Sequence, residues 1–493
     1  MTAILASFKK CYSNILSKDL IKVTLAIFLL LSCWSCTPPD IHTKSSCQTC
    51  HNVILDANHN FKCIDCHKGN NQACFEEKAH KGLIKSPASP DNAKAYCGRC
   101  HLLEVNNVLH SIHYTLNKEI SLVWKAFFPS QQPPPLKKIR GISRPKNPSQ
   151  LLEDLLARRC LRCHVYYEGD DYKGTRRGKG CAACHMSVTS KNHHNFKAPT
   201  IENCLSCHYA NFVGWDYVGR FEKDYPEDFR SPLQRGKHIQ RPYGIEWIQM
   251  TPDVHFMAGM TCIDCHKKTL FHVKKGKTPH PISCKDCHNK LTPIPGHDSS
   301  SKCKAECQTC HALWAVWDQG RSLIRQDDPD LEEWQFLAIQ GSSEIEYQVS
   351  KYVNASNDSS FKPTMSDKIH SQDLPGLWFA ALEKRRWAPV ILGKDSKGTL
   401  SVMRPLLDLT LSFADAYGET VLDNIKARGR NFFDLSYPDW FLSNEDFKVD
   451  PSLCLPYHPH TISKADIMRT IFVEKYLNQC AIDKIDKINQ KTH

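Results

Sequence analysis

The placement of apolar residues divides the chain into three unlike stretches. Near the start, "VTLAIFLLLSC" (Val23–Cys33) is a short apolar run preceded by Lys9, Lys10, Lys18 and Lys22. A bilayer span needs about 20 apolar residues, so this run reads instead as the apolar part of an export signal behind its charged region. From Cys47 to His311 the expectation is scattered short helices and loops with little sheet. After His311 the patterning returns. Asp328, Pro329 and Asp330 open a helix expected to run through Ile339, with acidic residues in its first turn. "APVILGKDSKGTLSVM" (388–403) predicts two short strands around a polar turn, and Leu407, Leu409, Leu411 and Phe413 alternate as a half-buried strand does. Residues 465–485 predict another helix. The stretch 318–493 is therefore expected as an α+β domain large enough to bury its own core.

The middle stretch is organised by a repeat rather than by a period. C-x-x-C-H occurs nine times, as Cys47, Cys50 and His51; Cys63, Cys66 and His67; Cys97, Cys100 and His101; Cys160, Cys163 and His164; Cys181, Cys184 and His185; Cys204, Cys207 and His208; Cys262, Cys265 and His266; Cys284, Cys287 and His288; and Cys307, Cys310 and His311. Two thiols three positions apart lie on one helical turn, where each can add to a vinyl group of a porphyrin. The adjacent histidine then offers its imidazole to the iron from the same side. A thioredoxin-like pair needs no trailing histidine, and a zinc ribbon does not require one after every C-x-x-C. The expected cofactors are nine covalently attached haem c groups. Motif starts lie 16, 34, 63, 21, 23, 58, 22 and 23 residues apart, and steps near 20 leave no room for a separate apolar core between neighbours. The macrocycles themselves are expected to serve as core, wrapped by short helices and loops.

Composition sharpens this picture at two points. The 493 residues include 25 cysteines and 25 histidines with 41% hydrophobic and 10% aromatic residues, ordinary for a folded protein except in the cysteine load. The motifs use 18 of the 25 cysteines, which accounts for most of that load. The formal charge of +12 points less to nucleic acid than it suggests. Nine haems bring roughly eighteen propionates, and Lys and Arg in stretches such as "GTRRGKG" are expected to pair with them.

Each haem also needs a second axial ligand if it is to be closed to substrate. By context the candidates are His59, His80, His113, His194, His255, His272 and His297, with weaker contexts around His42, His110, His193, His238 and His280. "PYHPHTISK" offers either further ligands in His458 and His460 or a rigid surface turn, and the turn is the preferred expectation. Cys454 and Cys480 suit a disulfide; Cys36, Cys74 and Cys303 remain over.

Leu30, Leu31, Ser32 and Cys33 resemble a bacterial lipobox, which implies lipidation of Cys33; the alternative is an ordinary signal cut near Cys36. Trp34 after that cysteine implies the outer membrane, in the periplasm or at the cell surface. The expected organisation is a signal peptide over 1–32, a three-haem segment over 33–128, a proline-rich linker over 129–150, a six-haem segment over 151–317 and the haem-free domain over 318–493.

"CGRCHLLEVNNVLHSIHYT" (Cys97–Thr115), "GCAACHMSVTSKNHHNF" (Gly180–Phe196), "IENCLSCHYANF" (Ile201–Phe212) and "DVHFMAGMTCIDCHKKTLFHV" (Asp253–Val273) resemble the octahaem c-type cytochromes grouped with tetrathionate reductase and, more distantly, hydroxylamine oxidoreductase. The resemblance covers under half of the chain and implies a closely packed multihaem cytochrome c fold. The chain departs from that group in having nine motifs and a long tail, and no catalytic residue carries over. The function expected is an exported electron relay between a quinol pool or periplasmic carrier and a terminal acceptor. Its partners would be a quinol dehydrogenase or other cytochromes, with the membrane reached through the lipid anchor and no nucleic acid involved. The alternative is a reductase or oxidase of a small nitrogen or sulfur compound at one open haem.

Overall fold

The computed structural model describes residues 46–475 except 187–192, 211–213, 223–232, 235–236, 239–241, 246, 275, 278–281, 291–296, 298–303, 335–341, 356–359, 389, 395–396, 398, 406–408, 428–453, 468 and 472. The chain divides into two compact units, Met1–Pro87 and Ala88–His493. Short helices and small sheets dominate, as a cytochrome c-like fold with little sheet requires.

The first unit holds two motif turns, Ser46–Cys50 and Cys63–His67, and a further turn at Glu76–Ala79. Gly69 stands where the backbone demands glycine. Its φ is +77°, and a side chain there would meet the Ala79 carbonyl at 2.6 Å. That close approach lets the chain fold back after His67, whose carbonyl accepts from the Ile84 N–H.

The second unit has its main core beside the motifs, between two helices and a sheet. Helix α1 (Asn117–Phe127) buries Ile120, Val123 and Trp124. Helix α2 (Pro148–Arg158) starts with Asn147, whose side chain accepts from the Gln150 N–H, and with proline at its first position. Leu151, Leu152, Leu155 and Leu156 repeat at helical spacing along α2 and are fully buried. Each such side chain contributes about 1.5–3 kcal/mol on leaving water. They pack with Leu323 of strand β1 (Ala315–Gln326), Trp378 of β2 (Leu377–Ala388), and Ile345 and Val349 of helix α3 (Ser343–Asn354). Within the proline-rich stretch Leu136 and Ile139 join the same core.

Strands β3 (Ile391–Lys394) and β4 (Leu400–Pro405) pair antiparallel, with Ile391 opposite Met403. This is the hairpin that the 388–403 pattern predicts. Strand β5 (Leu409–Ala414) alternates buried and half-buried positions as its own pattern predicts. It runs parallel to β1 and antiparallel to β6 (Thr420–Lys426), giving the sheet order β2-β1-β5-β6. A second sheet adds β7 (Cys454–Pro456) to β4, so its order is β3-β4-β7. The helix expected from Asp330 begins at Leu331, and its end lies outside the described residues.

A buried charge cluster ties these parts together. Asp154 of α2 accepts from the Trp378 indole at 2.8 Å and the Ile142 N–H at 2.7 Å, and it pairs with Arg158 and Arg325 at 3.4 Å each. Arg325 in turn donates to the Ile142 and Ser143 carbonyls at 2.7 Å. Buried charges need such partners, and here the partners include the backbone that leads into α2.

Candidate functional site

Each motif sits on a single helical turn, as the spacing of its thiols demands. The histidine N–H reaches back to the carbonyl of the first cysteine at 2.8 Å in the motifs ending at His51, His101, His266 and His288, at 2.9 Å for His208 and at 3.0 Å for His311. Thr261 and Ser283 cap the turns that begin at Cys262 and Cys284, with Asp264 and Asp286 closing reciprocal capping boxes. The motif at Cys160 is different. Its turn, Cys160–Cys163, is a 3-10 helix like the one at Cys97–Arg99, but the His164 N–H bonds to the Leu161 carbonyl instead.

The imidazoles are then oriented through Nδ1. His67, His185 and His311 donate from Nδ1 to the carbonyls of Ile84, Lys197 and Ser463 at 2.9, 2.9 and 3.0 Å. Outside the motifs, His272 donates to the Glu104 carbonyl at 3.2 Å, His59 to Asp56 at 2.9 Å and His255 to Asp253 at 2.8 Å. With Nδ1 carrying the proton, Nε2 keeps its lone pair, the tautomer a metal ligand needs. Burial pushes His113, His185, His208 and His266 below the ordinary histidine range, which also favours the neutral ring.

The structure brings motif histidines together with histidines from distant segments. Ring centroids lie 5.9 Å apart for His51 and His80, 6.2 Å for His208 and His113, 6.2 Å for His185 and His272, 6.1 Å for His288 and His255, and 6.0 Å for His311 and His297. A sixth pair, His266 and His460 at 6.1 Å, involves a residue for which a surface turn is the preferred expectation and iron ligation the alternative. Two metal–nitrogen bonds of about 2 Å plus two imidazole half-widths amount to roughly 6 Å. These separations therefore suit one iron between two imidazoles, and the residues fit haem c. A zinc site would gather three or more ligands, and among the described residues no such cluster of His, Cys, Asp and Glu occurs.

The remaining expected ligands are placed as follows. His59 has its ring 6.4 Å from Phe61, and His194 lies in a two-residue strand with His193. His164 is fully buried, its ring parallel to that of Tyr166 at 4.4 Å and its Nε2 on the Tyr114 carbonyl at 2.9 Å. Burial pushes it down to about 4. Among the described residues it meets no second histidine. Cys33, His42 and the export signal lie outside the described residues, as do Cys36, Cys303 and Cys480. Cys74 is disulfide-bonded.

Attachment cysteines of different motifs also meet. Cys97 hydrogen-bonds with Cys181, Cys163 with Cys207, Cys204 with Cys262 and Cys284 with Cys307. Cys184 lies within electrostatic reach of Cys207, and Cys265 of Cys287. The motifs of the second unit thus form a contiguous series through Cys97, Cys181, Cys204, Cys262, Cys284 and Cys307, with Cys163 as a side branch at Cys207.

Comparison with family models finds the doubled CXXCH motif over residues 174–211, which contain the motifs ending at His185 and His208. That match is consistent with a multihaem c-type cytochrome and supports haem c binding. No curated protein and no solved structure matches the chain.

Proposed function

We propose that the chain carries nine haem c groups, one on each C-x-x-C-H motif, and relays electrons as an exported, lipid-anchored cytochrome of anaerobic respiration. The reading is supported above all by the paired histidines, whose ring centroids are 5.9 to 6.2 Å apart. Bound haem supplies a one-electron iron couple. Imidazoles on both sides of an iron leave no position for a substrate, so His51 with His80, His113 with His208, and His185 with His272 suit electron transfer rather than chemistry on a ligand. The contiguous cysteines place one attachment point beside the next, as a relay requires. Donor and acceptor would be a quinol dehydrogenase and other cytochromes, with lipidation of Cys33 holding the chain at the outer membrane.

The test is the mass of the purified holoprotein together with its ferric spin state. Nine haems, low-spin and unchanged by cyanide or nitrite, are expected; fewer haems would end the nine-haem reading. His164 favours a second reading, because its ring packs on Tyr166 and not beside another histidine among the described residues. Its Nε2 donates to the Tyr114 carbonyl and would have to leave it to reach an iron; an iron then held there from one side would keep a place for a small nitrogen or sulfur compound. A high-spin fraction near one haem in nine that shifts with nitrite, and that disappears when Cys160→Ala with Cys163→Ala removes this one haem, would favour this reading over the pure relay.

A further inference from the structure

The segment from Tyr457 to Ser463 lies far along the chain from the last motif, yet it is bonded into three histidine pairs. His460 is one member of the pair with His266, the two rings 6.1 Å apart with planes 18° from parallel. A direct ring stack in the same molecule, His164 on Tyr166, closes to 4.4 Å. The wider gap is the one a metal atom fills. Its Nδ1 donates to the His458 carbonyl at 3.0 Å, which leaves Nε2 with its lone pair, as in the other pairs.

The backbone is held just as firmly. Asp216, nearly without exposure, accepts from the His460 N–H at 3.0 Å and the Tyr457 hydroxyl at 2.9 Å. Asp253 accepts from the Ile462 N–H at 2.8 Å through one oxygen and from His255 Nδ1 at 2.8 Å through the other. His255 is the member paired with His288. Ser463 accepts from His311 Nδ1 at 3.0 Å and donates its N–H to the His311 carbonyl at 2.9 Å, and His311 is paired with His297. Thr461 completes the attachment, its carbonyl accepting from the Leu313 N–H at 2.9 Å and its hydroxyl donating to the Trp314 carbonyl at 2.6 Å.

We propose that Tyr457–Ser463 is a metal-site clamp in which His460 is the second axial ligand of the iron held by His266, while the flanking residues set the ligands His255 and His311 of two neighbouring sites. The proposal rests on the haem reading above and adds to it a ligand from outside the motif-bearing stretch. It also gives the C-terminal region a function: closing the last three sites.

The experiment uses the full-length holoprotein, with haem number measured by mass in every variant so that loss of the haem reading and loss of this ligand are told apart. His460→Ala is expected to keep the wild-type haem number and to convert one low-spin ferric haem to high-spin, and added imidazole should reverse the change. His370→Ala, at a histidine bonded to Asp367 and outside both the clamp and the ring pairs, is expected to leave the spectrum as it was. Should His460→Ala retain haem number but show no high-spin gain, His460 is not a ligand and the proposal falls. If His460→Ala does not mature, His460→Met supplies the test. A thioether ligand raises the potential of the iron it binds, so one couple in the titration should move upward, and an unmoved titration overturns the proposal.

Discussion

Asp253 shows how much one carboxylate governs. Its two oxygens hold His255 Nδ1 and the Ile462 N–H at 2.8 Å each, and it is itself buried. A carboxylate on Nδ1–H makes the imidazole a stronger donor and so favours the ferric iron. Asp253→Asn should therefore raise the potential of one couple in a redox titration, and should lower stability by about 1–3 kcal/mol for the weakened buried bonds. A different behaviour is expected of Glu119 on α1. Burial pushes its carboxyl up to about 7 from the ordinary 4.5. The folded state then holds its proton where the unfolded chain has released it. The stability this contributes is full below pH 4.5 and is lost as the pH rises toward 7. Melting temperatures between those limits should fall in the wild type and stay level, by comparison, in Glu119→Gln; parallel curves would show that the carboxyl is not held in that state.

Among the elements, what the sequence discloses depends on whether local pattern or distant pairing decides the structure. The β3–β4 hairpin and the alternation of β5 are legible because burial on one face writes a period of two into consecutive residues. The motif turns are legible for a similar reason, since thioether geometry fixes three neighbouring positions. Strands β1 and β2 are not legible: "LEKRRW" within β2 has no strand alternation, and it is the long antiparallel pairing with β1 that makes it extended. The Asp154–Arg325 pair is equally hidden, as its members stand 171 positions apart. His460 belongs to this class too. The prolines around it suggest a turn, and only the fold places it beside His266. Helix α2 carries a stability prediction of its own. Leu155 is fully buried on the turn just before Cys160, so Leu155→Ala should cost about 2–5 kcal/mol in denaturant unfolding while leaving the haem number unchanged. A loss below 1 kcal/mol would mean that α2 does not anchor this core.

For the whole molecule, the polypeptide's charge and the charge of the loaded protein are different quantities. The chain alone is +12 with an isoelectric point near 8.7. Nine haems would add roughly eighteen propionates against roughly nine ferric charges, which brings the oxidised protein close to neutral and leaves the reduced protein several units negative. Part of that negative charge would be met by Lys and Arg side chains, but pairing moves no net charge; it only lowers the energy of holding it. Isoelectric focusing of the oxidised holoprotein should therefore give a value well below 8.7, and anaerobic focusing after reduction a lower value still. The two shifts separate two features of the reading. The first depends on how many propionates are present and so on haem number, whereas the second depends on how many irons change charge within the protein. A basic holoprotein whose focusing position ignores reduction would contradict both, and with them the role of the Cys97 to Cys307 series as a connected store and path for electrons.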